Sequence, residues 1–470
     1  MTRKMLVLLI STVAFLDGCT LIPRYTRPDA PIPSEWPEGQ AYENVVSDPD
    51  VLASELKWRE FFTDERLQAV IETALQNNRD LRVAALNVEK ARALYRIQRA
   101  ELLPTVNASA AGLQERVPAK ISGTGYSLTV EQYSANLGIT SWEIDFFGRI
   151  RSLERRALEQ YFATEQARRS AQILLVSEVA AAYLALAADR ENLELARSTL
   201  EAQQASYNLI RRRYEVGLVP ELDVRQVQTR VDAARVDVAR YTELVAQDVN
   251  ALNLLAGSSV PDDLLPDVLS IVAPLPDVSS GTPSEVLLRR PDILQAESRL
   301  KAANANIGAV RAAFFPRISL TTALGTASGD LTELFQSGTF AWSFVPQAVL
   351  PVFDPALWTS LKVSEVEREI ALAEYEKAIQ AAFRDVADAL ARQGTVGDQF
   401  EAQQSLVNAA AEAHRLSYVR YEKGTDIYLN VLDAQRSLYA AQQGLIAVHF
   451  ARLANQVRLY AVLGGGGDPE

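Results

Sequence analysis

The sequence predicts a mixed α/β membrane protein built from two tandem copies of one unit, each with two strands and a long helical hairpin. Three observations predict it. Paired residues recur in a fixed register through the chain. Helical stretches carry an apolar seam over many turns without a Gly or Pro break. Four shorter segments alternate apolar and small or polar residues, as the strands of a barrel in lipid do.

The register comes first. Asp80 and Asp292 are separated by 292 − 80 = 212 positions, and Ala91/Ala303, Arg99/Arg311 and Pro104/Pro316 keep that spacing. Tyr214/Tyr421, Gly217/Gly424 and Gly257/Gly464 are separated by 207. A unit of about 210 residues is too long for a solenoid repeat and points to duplication of a whole fold element. The predicted organisation is a signal peptide at 1–18, a lipidated extended arm at 19–55, a first repeat at 56–265 and a second at 266–470.

Each unit reads as helix, two strands, long helix, turn, long helix. Val224, Val227, Val231, Ala234, Val238, Tyr241 and Val245 follow a 3-4 spacing, and Leu193, Ala196, Leu200, Gln203, Tyr207, Ile210 and Tyr214 repeat it before the turn. That is a coiled-coil seam, so the two helices form an antiparallel hairpin. Ile150 to Arg213 reads as helix nearly throughout. At 1.5 Å per residue, a helix of about 60 residues reaches about 90 Å, which a globular domain has no use for.

The strands are read from Val106, Ala108 and Ala110; from Leu137 and Ile139, then Trp142 and Ile144; from Ile318, Leu320 and Leu324; and from Phe340, Trp342 and Phe344. The pattern fits an outer-membrane barrel and also a half-buried soluble sheet. Four strands cannot close a barrel, and lipid tolerates no open edge. A chain with this sheet in a membrane must oligomerise; three copies would supply twelve strands.

The leader "MTRKMLVLLISTVAFLDGC" has a basic start at Arg3 and Lys4 and an apolar stretch, Met5 to Leu16, too short to span a bilayer. Leu16, Gly18 and Cys19 match a lipoprotein cleavage box with Cys19 as the acylated residue; Asp17 departs from it. The alternative is an ordinary signal peptide with an incidental cysteine. Five prolines follow within 23–39, so this stretch is an extended arm. After residue 20, no stretch reads as long and apolar enough for a membrane helix; "ILLVSEVAAAYLAL" comes nearest, with Glu178 inside it.

A net charge of −12 and the lack of a basic stripe argue against nucleic acid as a partner. There is no phosphate-binding glycine loop. The two histidines, His414 and His449, lie apart in helical patterns, so the expectation is no enzyme, no cofactor and no metal site. A structural coiled-coil lipoprotein is the other class, but a spacer needs no barrel.

Several stretches carry a resemblance: "WREFFTDERL", "NNRDLRVAALNVEKARALYRIQRAELLP", "WEIDFFGRIRSL", "RRPDILQAESRL", "AAFFPRISL" and "YLNVLDAQRSLY". With them the chain resembles the TolC-like outer-membrane factor family in its OprM-like lipoprotein branch, from Cys19 to the terminal "LGGGG". The resemblance implies a homotrimer with a twelve-stranded barrel in outer-membrane lipid and a periplasmic helical barrel. It further implies an exit duct serving a periplasmic adaptor (membrane fusion protein) and an inner-membrane transporter of the resistance-nodulation-division type. It places the periplasmic gate at Leu429 and Asp433, which share a helix face. Tyr421, Asp223 and Arg436 are expected to hold neighbouring tips together. Asn430 stands where some relatives carry an acid, and Asp426 where some carry an arginine. Gly217, Val219, Gly424 and Thr425 are expected to form the tip turns that meet the adaptor. The alternatives are a helix C-cap in a folded core at each glycine and a solvated helix face at Asp433.

Overall fold

The structure, a computed structural model, describes residues 20–43, 53, 56–272, 275–276, 283 and 287–467. Cys19 and the leader before it lie outside these residues. The elements run α1 Trp58–Phe61, α2 Glu65–Asn77, α3 Arg79–Ala100, β1 Val106–Val117, β2 Leu128–Glu143, α4 Arg149–Glu215 and α5 Glu221–Ala256 in the first half. The second half gives α6 Pro291–Ala312, β3 Arg317–Ser328, β4 Phe340–Val349, α7 Pro355–Glu422 and α8 Tyr428–Val462. The order expected from the sequence is thus present twice, and the 67 and 68 residues of α4 and α7 are unbroken helix.

The chain divides into two compact units that cut across the two copies. One contains residues 20–28, Val88–Thr164 and Ala296–Tyr375; the other contains Asp29–Asn87, Glu165–Gln295 and the stretch from Glu376 onward.

In the first unit the four strands form one antiparallel sheet in the order β1-β2-β3-β4. Its register explains the alternation. Ala108, Leu137, Leu324 and Trp342 form one row across the sheet; Val106, Ile139, Thr322 and Phe344 form the next. Between them runs a row of Asn107, Gly138, Ala323 and Ser343. One face is therefore apolar and aromatic, and the other small and polar. Phe340, Trp342 and Phe344 stand well exposed on the apolar face. Ile139 and Trp142 differ by an odd number of positions, yet both pair on that face. The register shifts between them, and Ser141 takes a φ of 51° there. A bulge re-aims the strand end by one residue.

Three charges close the sheet end. Glu143, nearly buried, accepts from Arg149 at 2.8 Å and pairs with Arg317 at 2.6 Å. A buried carboxylate is tolerable only with such partners.

The second unit holds the hairpins. Its core includes Phe61, Phe62, Tyr183, Leu184, Leu186 and Tyr460. Phe61 stacks on Tyr460 with centroids 4.0 Å apart, and Asp64 caps α2 through the amides of Arg66 and Leu67. The seams read from the sequence meet: Leu193 and Ala196 of α4 pack with Tyr241 of α5, with Val238 and Val245 beside them. One window of α4 is long and apolar enough to cross a membrane, unlike the sequence expectation, but 61% of it is buried inside the protein. A helix that spends its apolar residues on a core has no need of lipid.

Candidate functional site

The two turns expected at the hairpin ends are built alike. Gly217 and Gly424 have φ of 77° and 71°, the left-handed region where a side chain costs energy. At the first turn, Gly217 N–H donates to Tyr214 O and Leu218 N–H to Arg213 O, both 2.8 Å. At the second, Gly424 N–H donates to Tyr421 O and Thr425 N–H to Arg420 O, both 3.0 Å. This is the Schellman pattern, which satisfies the last carbonyls of a helix. Each glycine is therefore a C-cap and a hairpin reversal at once.

The two turns pack side by side within one chain. Ile210, Val224 and Val227 of the first hairpin and Tyr428, Val431 and Leu432 of the second form one buried cluster, with Tyr207, Val219 and Tyr421 against it. Val219 is thus turned into the cluster, while Val216, Leu218 and Ile427 are the exposed apolar groups at the crest. Thr425 is exposed, and its hydroxyl donates to Arg420 O at 3.0 Å.

Leu429 and Asp433 lie on the outer face of α8, and Leu429 is 47% exposed. Asp433 accepts from Arg436 at 2.6 Å, one turn along the same helix. So Arg436, expected to reach a neighbouring tip, is engaged by Asp433 within its own chain. Tyr421 OH accepts from Arg213 Nη1 at 2.5 Å, and the guanidinium carbon lies 5.3 Å from the ring centroid.

The repeat arithmetic exposes a pair that the sequence reading passed over. Arg420 is the counterpart of Arg213 (420 − 207 = 213). In the second turn, Arg420 Nε donates to Asp426 at 3.0 Å, Asn430 Nδ2 donates to the same carboxylate at 2.5 Å, and Ile427 N–H adds a third bond at 2.9 Å. The hydrogen bond from Arg420 leads in holding the Asp426 carboxyl below its usual range. The first turn has Val219 at the Asp426 position, so Arg213 has no such acid and reaches across to Tyr421 instead. Asn430, expected in the gate network, is part of this clasp within its own chain.

A second charged feature lies between α4 and α5, where Asp189 and Asp248 face each other. Burial first, and Asp189 second, push Asp248 up to about 6. The folded chain holds this proton to higher pH than the unfolded chain, so stability falls as pH rises from 3.8 to about 6. Asp248→Asn should raise the unfolding temperature at neutral pH and flatten that fall, measured by circular dichroism across pH; an unchanged pH profile would remove the pair from the balance.

Comparison with known proteins places this geometry. The family described as "Outer membrane efflux protein" matches residues 70–258 and again 282–465. The chain belongs to the outer membrane efflux protein family. It is 50% identical over 467 residues to the "Probable efflux pump outer membrane protein TtgC" of Pseudomonas putida, covering 99% of this chain and 96% of that one. It is 42% identical to "Outer membrane protein OprJ" of Pseudomonas aeruginosa, over 96% of this chain and 94% of that one. Among solved structures, the open state of the Neisseria gonorrhoeae MtrE outer membrane channel superposes with a TM-score of 0.86 at 37% identity, covering 95% of this chain and 98% of that one. The efflux protein thus has the fold of an outer-membrane channel and is placed in the outer membrane.

Proposed function

We propose that three copies of this efflux protein assemble into a passive duct, the outer-membrane end of a tripartite pump. One observation carries the reading. The four-stranded sheet ends on β1 and β4, each with a free edge among the described residues, and pairs an apolar, aromatic face with a small, polar one. In lipid those edges must be paired, and pairing β4 of one copy with β1 of the next closes twelve strands at three copies. The apolar face then meets lipid and the polar face lines water. The duplicated units at 56–265 and 266–470 would each give every copy one hairpin of the helical part. A periplasmic adaptor would engage the crests at Leu218, Thr425 and Ile427, and a resistance-nodulation-division transporter would supply the energy. Leu429 and Asp433 would form the closing rings. No step needs catalysis.

The full chain, reconstituted in planar bilayers, is expected to give discrete unitary conductance steps and a heat-modifiable trimer band. A correctly assembled trimer with no conductance would overturn the duct.

Lipidation at Cys19 belongs to the same reading. A single acyl chain anchors marginally and several anchor firmly. Mass spectrometry of the mature protein should find Cys19 as an acylated N-terminus, and Cys19→Ser should weaken anchoring while trimers persist. An unmodified mature Cys19 would sink the lipoprotein assignment.

A further inference from the structure

The proline-rich arm is not loose where it is described. It lies along α6 within the first unit and runs toward the end of that helix that leads into β3. Arg27 forks onto Glu297, with Nε 3.1 Å from Oε1 and Nη2 2.6 Å from Oε2. Tyr25 OH donates to Glu297 Oε1 at 3.1 Å. Lys301 pairs with the same carboxylate at 3.0 Å, and its ammonium lies 5.2 Å from the centre of the Tyr25 ring. Further along, Asn304 Nδ2 donates to Pro23 O at 2.8 Å. At Gly308 the arm touches the helix backbone: a Cβ there would lie 2.6 Å from Ile22 Cγ1 and 2.8 Å from Ile22 N.

The first copy cannot offer this surface. Subtracting 212 from Glu297, Lys301, Asn304 and Gly308 gives Ala85, Glu89, Arg92 and Arg96 on α3. The anchoring acid is absent there, the sign at the second position is reversed, and an arginine fills the glycine cradle. α3 has no buried residue, whereas the Glu297 side chain on α6 is only 4% exposed. A nearly buried carboxylate is tolerable only when well paired, and the arm supplies Arg27 and Tyr25 beside Lys301 of the same helix. Its pairing outweighs burial and holds its carboxyl below the usual range.

We propose that Glu297, Lys301, Asn304 and Gly308 form a receptor for residues 22–27, present on the second copy alone, with Glu297 as its charged anchor. The arm is a strap. It brings Ile22 to Gly308, about one turn before the sheet-side end of α6, so that an anchor on Cys19 would meet the membrane on the side that the strands enter. That consequence rests on the lipid reading proposed above; the docking does not.

Trypsin tests the docking on the full-length protein in detergent, by N-terminal sequencing of fragments over time. In the wild type, cleavage after Arg24, the arm's bond to Tyr25, should be slow. In Glu297→Ala it should be about tenfold faster or more, because cleavage tracks the population of the opened segment. Gly308→Arg, which imports the first copy's residue, should free the Ile22 end in the same way. The trimer band should survive in both. The proposal is overturned if the wild-type arm is cut as fast as the variants. It is also overturned if Glu297→Ala accelerates cleavage equally throughout the chain, since Glu297 would then serve helix packing alone. Mass spectrometry of Cys19 reads the anchor separately, so the two failures are distinguishable.

Discussion

The double variant Leu429→Ala, Asp433→Ala should conduct several-fold more than the wild type in the closed state and make cells permeable to large antibiotics such as vancomycin. Threefold assembly would turn each residue into a ring, and the leucine ring would be the apolar obstruction. The aspartate ring would not be three bare charges, because Asp433 already holds its own Arg436 at 2.6 Å. Repulsion between the carboxylates is thereby reduced, and closure needs less compensation from a bound cation. Asp433→Ala alone should therefore leave a ring of unpaired arginines and shift the duct toward anions. Unitary conductance and reversal potentials in a salt gradient read both outcomes. Unchanged values in an assembled trimer would take these residues out of the gate.

The second large effect is expected at Gly257, and its counterpart Gly464 serves as the control. Both have left-handed φ, 69° and 90°. At Gly464, an added Cβ would meet only Arg290 Cγ at 3.8 Å, an ordinary contact. Gly464→Ala should then cost about 1–2 kcal/mol, the conformational penalty alone. At Gly257, the same Cβ would lie 2.3 Å from Asn77 O and 2.7 Å from Asn77 C, where the end of α5 abuts the end of α2. Backbone cannot step aside as a side-chain tip can. Gly257→Ala should cost about 3 kcal/mol or more, the penalty plus overpacking. Thermal unfolding of both variants decides it; equal losses would mean that the α2 contact yields freely.

Much of the architecture was legible because it is periodic. The 3-4 seam from Val224 to Val245 is α5, and the stretch from Ile150 to Arg213 lies within the helix at Arg149–Glu215. The odd spacing between Ile139 and Trp142 stands in the sequence as a break in alternation; the bulge, which keeps both on one face, is its cause. The turns were legible because left-handed backbone selects glycine. What periodicity does not encode is which long side chains meet across separate elements. Arg213 and Arg420 occupy equivalent positions, yet one reaches Tyr421 and the other Asp426. The seating of Tyr25 and Arg27 on Glu297 spans about 270 positions, a separation that no local pattern encodes. The packing of Val219 is hidden for a similar reason: only the neighbouring hairpin half-buries it.

The two Schellman turns close their backbone hydrogen bonds within six residues each, Arg213–Leu218 and Arg420–Thr425. A crest of that kind is a stiff key. Whatever docks on it loses little entropy ordering the loop, so recognition depends on the few side chains at the rim. Val216, Leu218 and Ile427 can then drift in evolution, changing compatibility with partners one residue at a time, while the bend that presents them stays the same.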